Sequence, residues 1–392
     1  MFRVNEIPLS LYIHLPWCEK KCPYCDFNSH LLRDPHQYKD YANALTLQLS
    51  DWSSLVGDRK IKTIYFGGGT PNLFPISLIE LVMKEIYLAM DLEDNLEITF
   101  EVNPVLLKKE FATRDYFLGL KSLGVNRLSV GVQSFDNMLL QNIGRVHDSE
   151  EIELFLSVIG KIFTNVNVDL MYGLPGQTKA KVIEDMNLVK RFEAPHISYY
   201  QLTIEPGTMF YSRRPRLPGE DIIWDMYRVI VEELLRHSYS RYEVSAYSRE
   251  GMACKHNVNY WEFGDYIGIG AGAHSKITTC DFVERRIVLS NPFNYVKKMT
   301  SKSSFFNRTK MTPGAEVLFE YILNASRLTE GFKILDFEER TGLDFSREME
   351  KFCLAHDKGL IKINSGKVIP TSLGFNFLTN LQEIFLPVEQ TA

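Results

Sequence analysis

The sequence contains no apolar run approaching the length of a membrane span. Its first residues, Met1-Phe2-Arg3-Val4-Asn5-Glu6, lack the apolar core of a secretory leader. Both absences lead us to expect a cytosolic protein, in which thiols stay reduced. Charge of one sign is not in excess: 44 Lys and Arg stand against 49 Asp and Glu, a net −5. That balance argues against a nucleic-acid-binding face and against an anionic membrane partner. Internal repeats and low-complexity tracts are also missing. With 45% hydrophobic and 12% aromatic residues in a chain of 392, disorder and fibrous classes are excluded. The length fits a large α/β domain with a smaller one beside it.

Cysteine is scarce, with six residues unevenly placed. Cys18, Cys22 and Cys25 crowd into eight positions, while Cys254, Cys280 and Cys353 are scattered. In a reducing compartment such crowding indicates metal or catalysis rather than disulfides. The spacing is Cys-x₃-Cys-x₂-Cys, directly after the strand-like segment Leu9–Leu15. A four-iron cluster takes four ligands, usually thiolates. Three thiolates from one loop leave one iron open to a small exchangeable ligand. A zinc site completed by His14 or His30 is the competing reading. Three buried core thiols fit poorly with Glu19-Lys20-Lys21 lying between them.

Strand-like and helix-like segments alternate through the first half. Apolar, β-branched or aromatic runs at 9–15, 61–66, 96–102, 127–132, 166–172 and 197–204 are separated by stretches of helical periodicity, including 108–123 and a region ending at 163. Six β-α units imply a parallel sheet with right-handed crossovers. Six is short of the eight that close a (β/α)₈ barrel. The expected fold is therefore α/β, a partial (β/α)₆ TIM-like barrel, with a doubly wound sheet as alternative. We divide the chain into a barrel at 1–218, an extension at 219–312 and a C-terminal unit at 313–392. The last reads as three helices and a hairpin around Ser365-Gly366, an α+β winged-helix-like arrangement. It holds 8 Lys and Arg against 12 Asp and Glu, so a packing or lid role is expected rather than duplex binding.

The Cys18-x₃-Cys22-x₂-Cys25 spacing, with Tyr24 before the third cysteine, resembles the radical S-adenosylmethionine (SAM) superfamily. Further features follow in order: Gly67-Gly68-Gly69-Thr70-Pro71, Glu101 at a strand end, Gly131-Val132-Gln133-Ser134-Phe135, Gly144-Arg145, and Asp169-x₂-Tyr172-Gly173-Leu174-Pro175. The resemblance implies a [4Fe-4S] cluster on the three cysteines. It also implies a SAM pocket formed by Tyr12, Tyr24, Gly68, Gly69, Thr70, Glu101, Gln133, Arg145 and Asp169, with His274 near the adenine. Arg145 and Asp169 would pair with each other or contact the nucleoside. Read without the resemblance, Gly67–Gly69 is an ordinary glycine turn and Glu101 a solvated loop acid.

The same motifs, with Tyr12-Ile13-His14, look like the oxygen-independent coproporphyrinogen III oxidase group. The true oxidases have Cys-x₃-Cys-x₂-Cys-x-Cys and a longer leading segment. Here Phe27 stands at the last position and 17 residues precede Cys18. The HemW-type subgroup of heme chaperones carries His-Asn-x-x-Tyr-Trp, matched in full by His256-Asn257-Val258-Asn259-Tyr260-Trp261. That resemblance implies bound heme as cargo, with His256, Tyr260 and Trp261 as candidate contacts and Cys254 as a nearby soft donor. The bland reading makes His256 a satisfied loop residue and the two aromatics core. Arg213-Arg214-Pro215-Arg216 suits heme propionates, or is a solvated loop. Expected partners are heme, acceptor hemoproteins (including membrane-associated respiratory ones), an electron donor and a second copy of the chain. Two rivals remain: oxidative decarboxylation of coproporphyrinogen III, and radical SAM modification of RNA, which the net charge disfavours.

Overall fold

In the computed structural model the described residues are 2–105, 110–301 and 303–387. Six strands build the barrel wall: β1 (Leu9–Leu15), β2 (Ile61–Gly68), β3 (Leu92–Val102), β4 (Arg127–Gln133), β5 (Val166–Tyr172) and β6 (His196–Gln201). They lie side by side in sequence order and every neighbouring pair is parallel. A doubly wound sheet would reverse that order at a switch point. None occurs here, so the fold is the partial barrel.

One parallel strand goes beyond the six expected. β7 (Asp265–Ile269) pairs with the free side of β1. Antiparallel strands His274–Thr278, Val283–Val288 and Phe306–Met311 extend the sheet past it. On the other flank β6 is followed by Ala246–Ser248 and the two-residue strand Ser240–Arg241. The sheet of twelve strands stays open, with Phe306–Met311 and Ser240–Arg241 as its edges.

Side-chain alternation sorts the wall into two faces. Leu9, Leu11, Ile13, Ile64, Phe66, Ile98, Phe100, Leu128, Val130, Val168 and Ile197 are buried beneath the surrounding helices in one apolar cluster. The alternate positions are largely polar: Ser10, Tyr12 and His14; Thr63 and Tyr65; Glu97, Thr99 and Glu101; Arg127 and Ser129; Asn167 and Asp169; His196 and Ser198. The register lines them up across the wall: Tyr12 faces Tyr65, Tyr65 faces Thr99, Glu101 faces Ser129, and Asn167 faces His196. The barrel is thus apolar outside and polar within.

The helix expected over 108–123 is seen from Glu110 to Ser122; its expected start at Lys108 lies outside the described residues. The helical region expected up to Phe163 is two helices, Asn137–Asn142 and Ser149–Ile159. Gly144 separates them at φ +73, and Asp148 caps the second with a capping box. The C-terminal unit contains helices Ala315–Ala325, Ile334–Thr341 and Met349–Asp357, with the hairpin Ile361–Asn364 and Lys367–Pro370. Its own apolar cluster also takes in Phe2, Phe263, Val283 and Met311. Among the described residues no helix is long and apolar enough to cross a membrane.

Candidate functional site

The cysteine loop leaves the carboxyl end of β1, where a barrel places its chemistry. Cys18 is buried, and Cys22 and Cys25 are half-buried. All three are free thiols. Each sulfur has a polar neighbour: the Thr70 hydroxyl lies 3.5 Å from Cys18 Sγ, Arg145 Nη1 lies 3.7 Å from Cys22 Sγ, and the Ser29 hydroxyl lies 4.0 Å from Cys25 Sγ. Burial pushes the Cys18 and Cys25 thiols up, and each feels the charge of Cys22.

This donor set suits an iron–sulfur cluster, which spreads its thiolates around a cube instead of drawing them onto one ion. Among the described residues no three His, Cys, Asp or Glu side chains converge on a single metal position. The histidines that a zinc site would recruit are engaged elsewhere. His14 meets the Asn28 carbonyl at 2.8 Å through Nε2 and the Tyr12 hydroxyl at 3.0 Å through Nδ1; His30 Nε2 meets Asn28 Oδ1 at 3.1 Å. Burial lowers the His14 pKa to about 4, so the ring is neutral.

Neighbouring loops hold the cysteine segment. Asn28 donates to the carbonyls of Ala271 at 2.9 Å and Ser290 at 2.8 Å, which ties the loop to the Gly-rich turn after β7. A β-carbon on Gly272 would sit 2.4 Å from Asn28 Nδ2. Pro23 accepts a bond from the Phe210 amide at 2.9 Å, and the Tyr24 ring lies 6.5 Å from the Phe210 ring.

Gly68, at the end of β2, has φ +119, and a β-carbon there would meet the His14 ring at 2.6 Å. Only glycine suits both constraints. Its amide donates to Glu101 Oε2 at 3.0 Å, while the Tyr65 hydroxyl donates to Glu101 Oε1 at 2.9 Å. Gly69 is confined too: its amide donates to the Leu15 carbonyl at 2.8 Å, and a β-carbon would meet the Trp17 carbonyl at 2.6 Å. Burial raises the Glu101 pKa to about 7, against the Tyr65 hydrogen bond, and the Asp169 charge adds to the rise. Asp169 accepts from Ser129 at 2.9 Å and Asn167 at 2.8 Å, and burial raises its pKa as well.

The pairing of Arg145 with Asp169 is not found. Arg145 donates to the Gly131 carbonyl, to Asn103 Oδ1 at 2.9 Å and toward Cys22. Asn103 in turn donates to the Thr70 hydroxyl at 3.0 Å. Gln133, at φ +71, closes the same corner, with its amide nitrogen 3.0 Å from where a Gly131 β-carbon would stand. His274 is exposed at the start of its strand. Tyr12, Glu101, Gln133, Arg145 and Asp169 therefore share one polar cavity. The arrangement adds Tyr65, Asn103, His14 and Asn28, which sequence reasoning did not assign.

Residues 12–189 match the Radical SAM superfamily profile, and residues 313–377 match the HemN C-terminal domain. Over 389 residues the chain is 39% identical to the heme chaperone HemW of Haemophilus influenzae, covering 97% of this chain and 99% of that protein. It is 37% identical over 382 residues to the heme chaperone HemW of Escherichia coli, with coverage of 97% and 98%. The chain belongs to the HemW family. Among solved structures, the coproporphyrinogen III oxidase (HemN) of Escherichia coli, described as a radical SAM enzyme, matches with a TM-score of 0.81 at 22% identity. It covers 98% of this chain and 91% of that one, a likeness of fold.

The segment that marks the HemW subgroup forms a short helix, Lys255–Trp261, inside the wall. Its first amides, Lys255 and His256, donate to Glu97 at 3.2 and 3.1 Å. His256 is buried, with Nδ1 2.7 Å from the Thr63 hydroxyl and Nε2 3.1 Å from the Tyr260 hydroxyl. Tyr12 and Tyr65 lie against its ring, at centroid distances of 6.5 and 4.9 Å. Burial takes its pKa down to about 3. Cys254 is buried against Glu97 at 3.7 Å, and burial pushes its thiol up to about 12. Trp261 packs under the Arg327 guanidinium, 4.2 Å from its ring centre, at the C-terminal unit. In this HemW family member the motif supports the barrel interior, with both imidazole nitrogens occupied.

Proposed function

We propose that the protein binds a four-iron cluster and SAM at the barrel mouth, binds heme as cargo, and passes it to acceptor hemoproteins. The observation that carries the cofactor part is the three-thiol loop beside Thr70, Arg145 and the Glu101 cavity. The cargo part rests on 31–40% identity to heme chaperones along nearly the whole chain. Cys18, Cys22 and Cys25 would hold the cluster. The cluster, when bound, supplies an open iron for the SAM amino acid end and a single electron. Glu101, oriented by Tyr65 and Gly68, would receive the SAM amino group. Gln133, Arg145 and Asp169 would face the rest of the nucleoside. The neutral His14 stacks the cysteine loop on Tyr12 and moves no proton.

The rival reading is decarboxylation of coproporphyrinogen III. Phe27 favours the chaperone, because the side chain two residues beyond Cys25 is an exposed aromatic and not a fourth thiol. Anaerobic reconstitution tests both. The expected result is bound iron and sulfide, one heme per chain, and heme transfer to an apo-hemoprotein, without protoporphyrinogen. Purified zinc in place of iron would reject the cluster, and sustained protoporphyrinogen formation would reject the chaperone.

A further inference from the structure

His256 is enclosed beneath Tyr12 and Tyr65 with both nitrogens bonded, so it offers heme iron no free lone pair. A different oxygen, nitrogen or sulfur must meet the iron if heme binds as proposed above. The molecule has one built hollow of suitable size with such an atom on its wall. It lies between the helix Glu220–Arg236 and the C-terminal unit. Two hollows of about 480 and 650 Å³ share Trp224, Tyr227, Arg241, Phe375 and Asn376. Such volumes suit a ligand of drug or cofactor size.

The walls are flat and aromatic. Trp224 is 47% exposed and stacks on Tyr227 at 5.2 Å. Arg241 lies over the rings of Phe375 and Tyr227, at 4.5 and 5.3 Å. Its Nη1 donates to the Tyr227 hydroxyl at 2.6 Å, and the hydroxyl donates onward to Asn376 Oδ1 at 3.1 Å. A guanidinium aimed at a phenol oxygen stabilises the phenolate, and tyrosinate is an established ligand of ferric heme iron. Arg228, on the rim, provides a cation for a propionate.

Resting on the heme-chaperone reading, we infer that ferric heme lies in this groove with Tyr227 Oη as its iron ligand and Arg241 as the positioning residue. On binding, the Tyr227 O–H bond breaks and an Fe–O bond forms. The proton now given to Asn376 leaves to solvent. The iron stays ferric, so no oxidant or reductant is needed.

The test is titration of the full-length, cluster-loaded protein with hemin, and separately with iron-free protoporphyrin IX, followed by absorbance. Tyr227→Phe keeps the ring. It should weaken hemin by at least about tenfold, in line with the loss of a metal contact, and shift the Soret band. Protoporphyrin IX affinity should stay the same. Trp224→Ala should weaken both ligands, because it removes a stacking face. Unchanged hemin affinity and spectrum in Tyr227→Phe would overturn the assignment while leaving the chaperone reading intact. Equal losses for hemin and protoporphyrin IX in that variant would also overturn it, since the oxygen would then be acting through structure. If the unaltered protein takes up no hemin at all, both fall.

Discussion

Replacing Glu101 by Gln should change stability in a pH-dependent way. In the SAM-free protein the carboxyl is held under Tyr65 and Gly68 in the polar cavity, and burial raises its pKa from 4.5 to about 7. A carboxylate raised on folding favours the folded state most fully below the unfolded pKa of 4.5. The advantage is lost as pH rises from there through about 7, and above that the cost is constant. At 1.36 kcal/mol for each tenfold in proton affinity, the swing is about 3 kcal/mol. The glutamine cannot ionise, so its unfolding free energy should lack this slope. Measured by urea unfolding without SAM, the difference Glu101→Gln minus wild type should rise by about 3 kcal/mol between pH 4.5 and pH 8. SAM binding should fall in the same variant. A difference that is flat with pH, or one that grows toward acid, would refute the burial argument.

Other perturbations follow from the same geometry. Gly68→Ala brings a β-carbon to 2.6 Å from the His14 ring at φ +119, so it should cost about 2–4 kcal/mol in urea unfolding and weaken SAM binding; a loss below about 0.5 kcal/mol would contradict it. Cys22→Ala should abolish bound iron and sulfide in anaerobic material while far-ultraviolet circular dichroism stays the same, and retained stoichiometric iron would exclude Cys22 as a ligand. Lys276→Met removes a buried cation 2.8 Å from Asp265, leaving that carboxylate with Arg59 at 2.9 Å, and should destabilise by about 3–5 kcal/mol. A neutral outcome there would mean that Arg59 alone compensates.

The cluster loop was legible because its chemistry is local: three thiols in eight positions need no partner from elsewhere to be noticed. The barrel was legible for the same reason, since each strand and helix carries its own periodicity. What escaped was long-range. Asn28 and Asn103 read as loop residues, yet Asn28 joins the Gly-rich turn 243 positions away and Asn103 joins Arg145 and Thr70. β7 went unread because Gly264, Gly268 and Gly270 look like turn punctuation. Gly268 is there because a β-carbon would strike the His274 carbonyl at 2.0 Å. The polar interior was visible as alternation in LSLYIHL, LEITFEV and VNVDLMY. Parallel strands are ordinarily apolar on both faces, and that expectation hid it. His256 shows the limit of a motif: the pattern identified the family, while the packing gave the imidazole a supporting role.

The open sheet has a further consequence for self-association. At one border, the outermost strand Phe306–Met311 turns Arg308 and Lys310 to solvent, and at the other only Ser240 and Arg241 are available. Charged or very short borders resist growth by strand addition. Two molecules meeting at either rim would find no ladder to continue, so any pairing of copies must run through side-chain surfaces, and crowding the protein should yield discrete particles rather than ribbons.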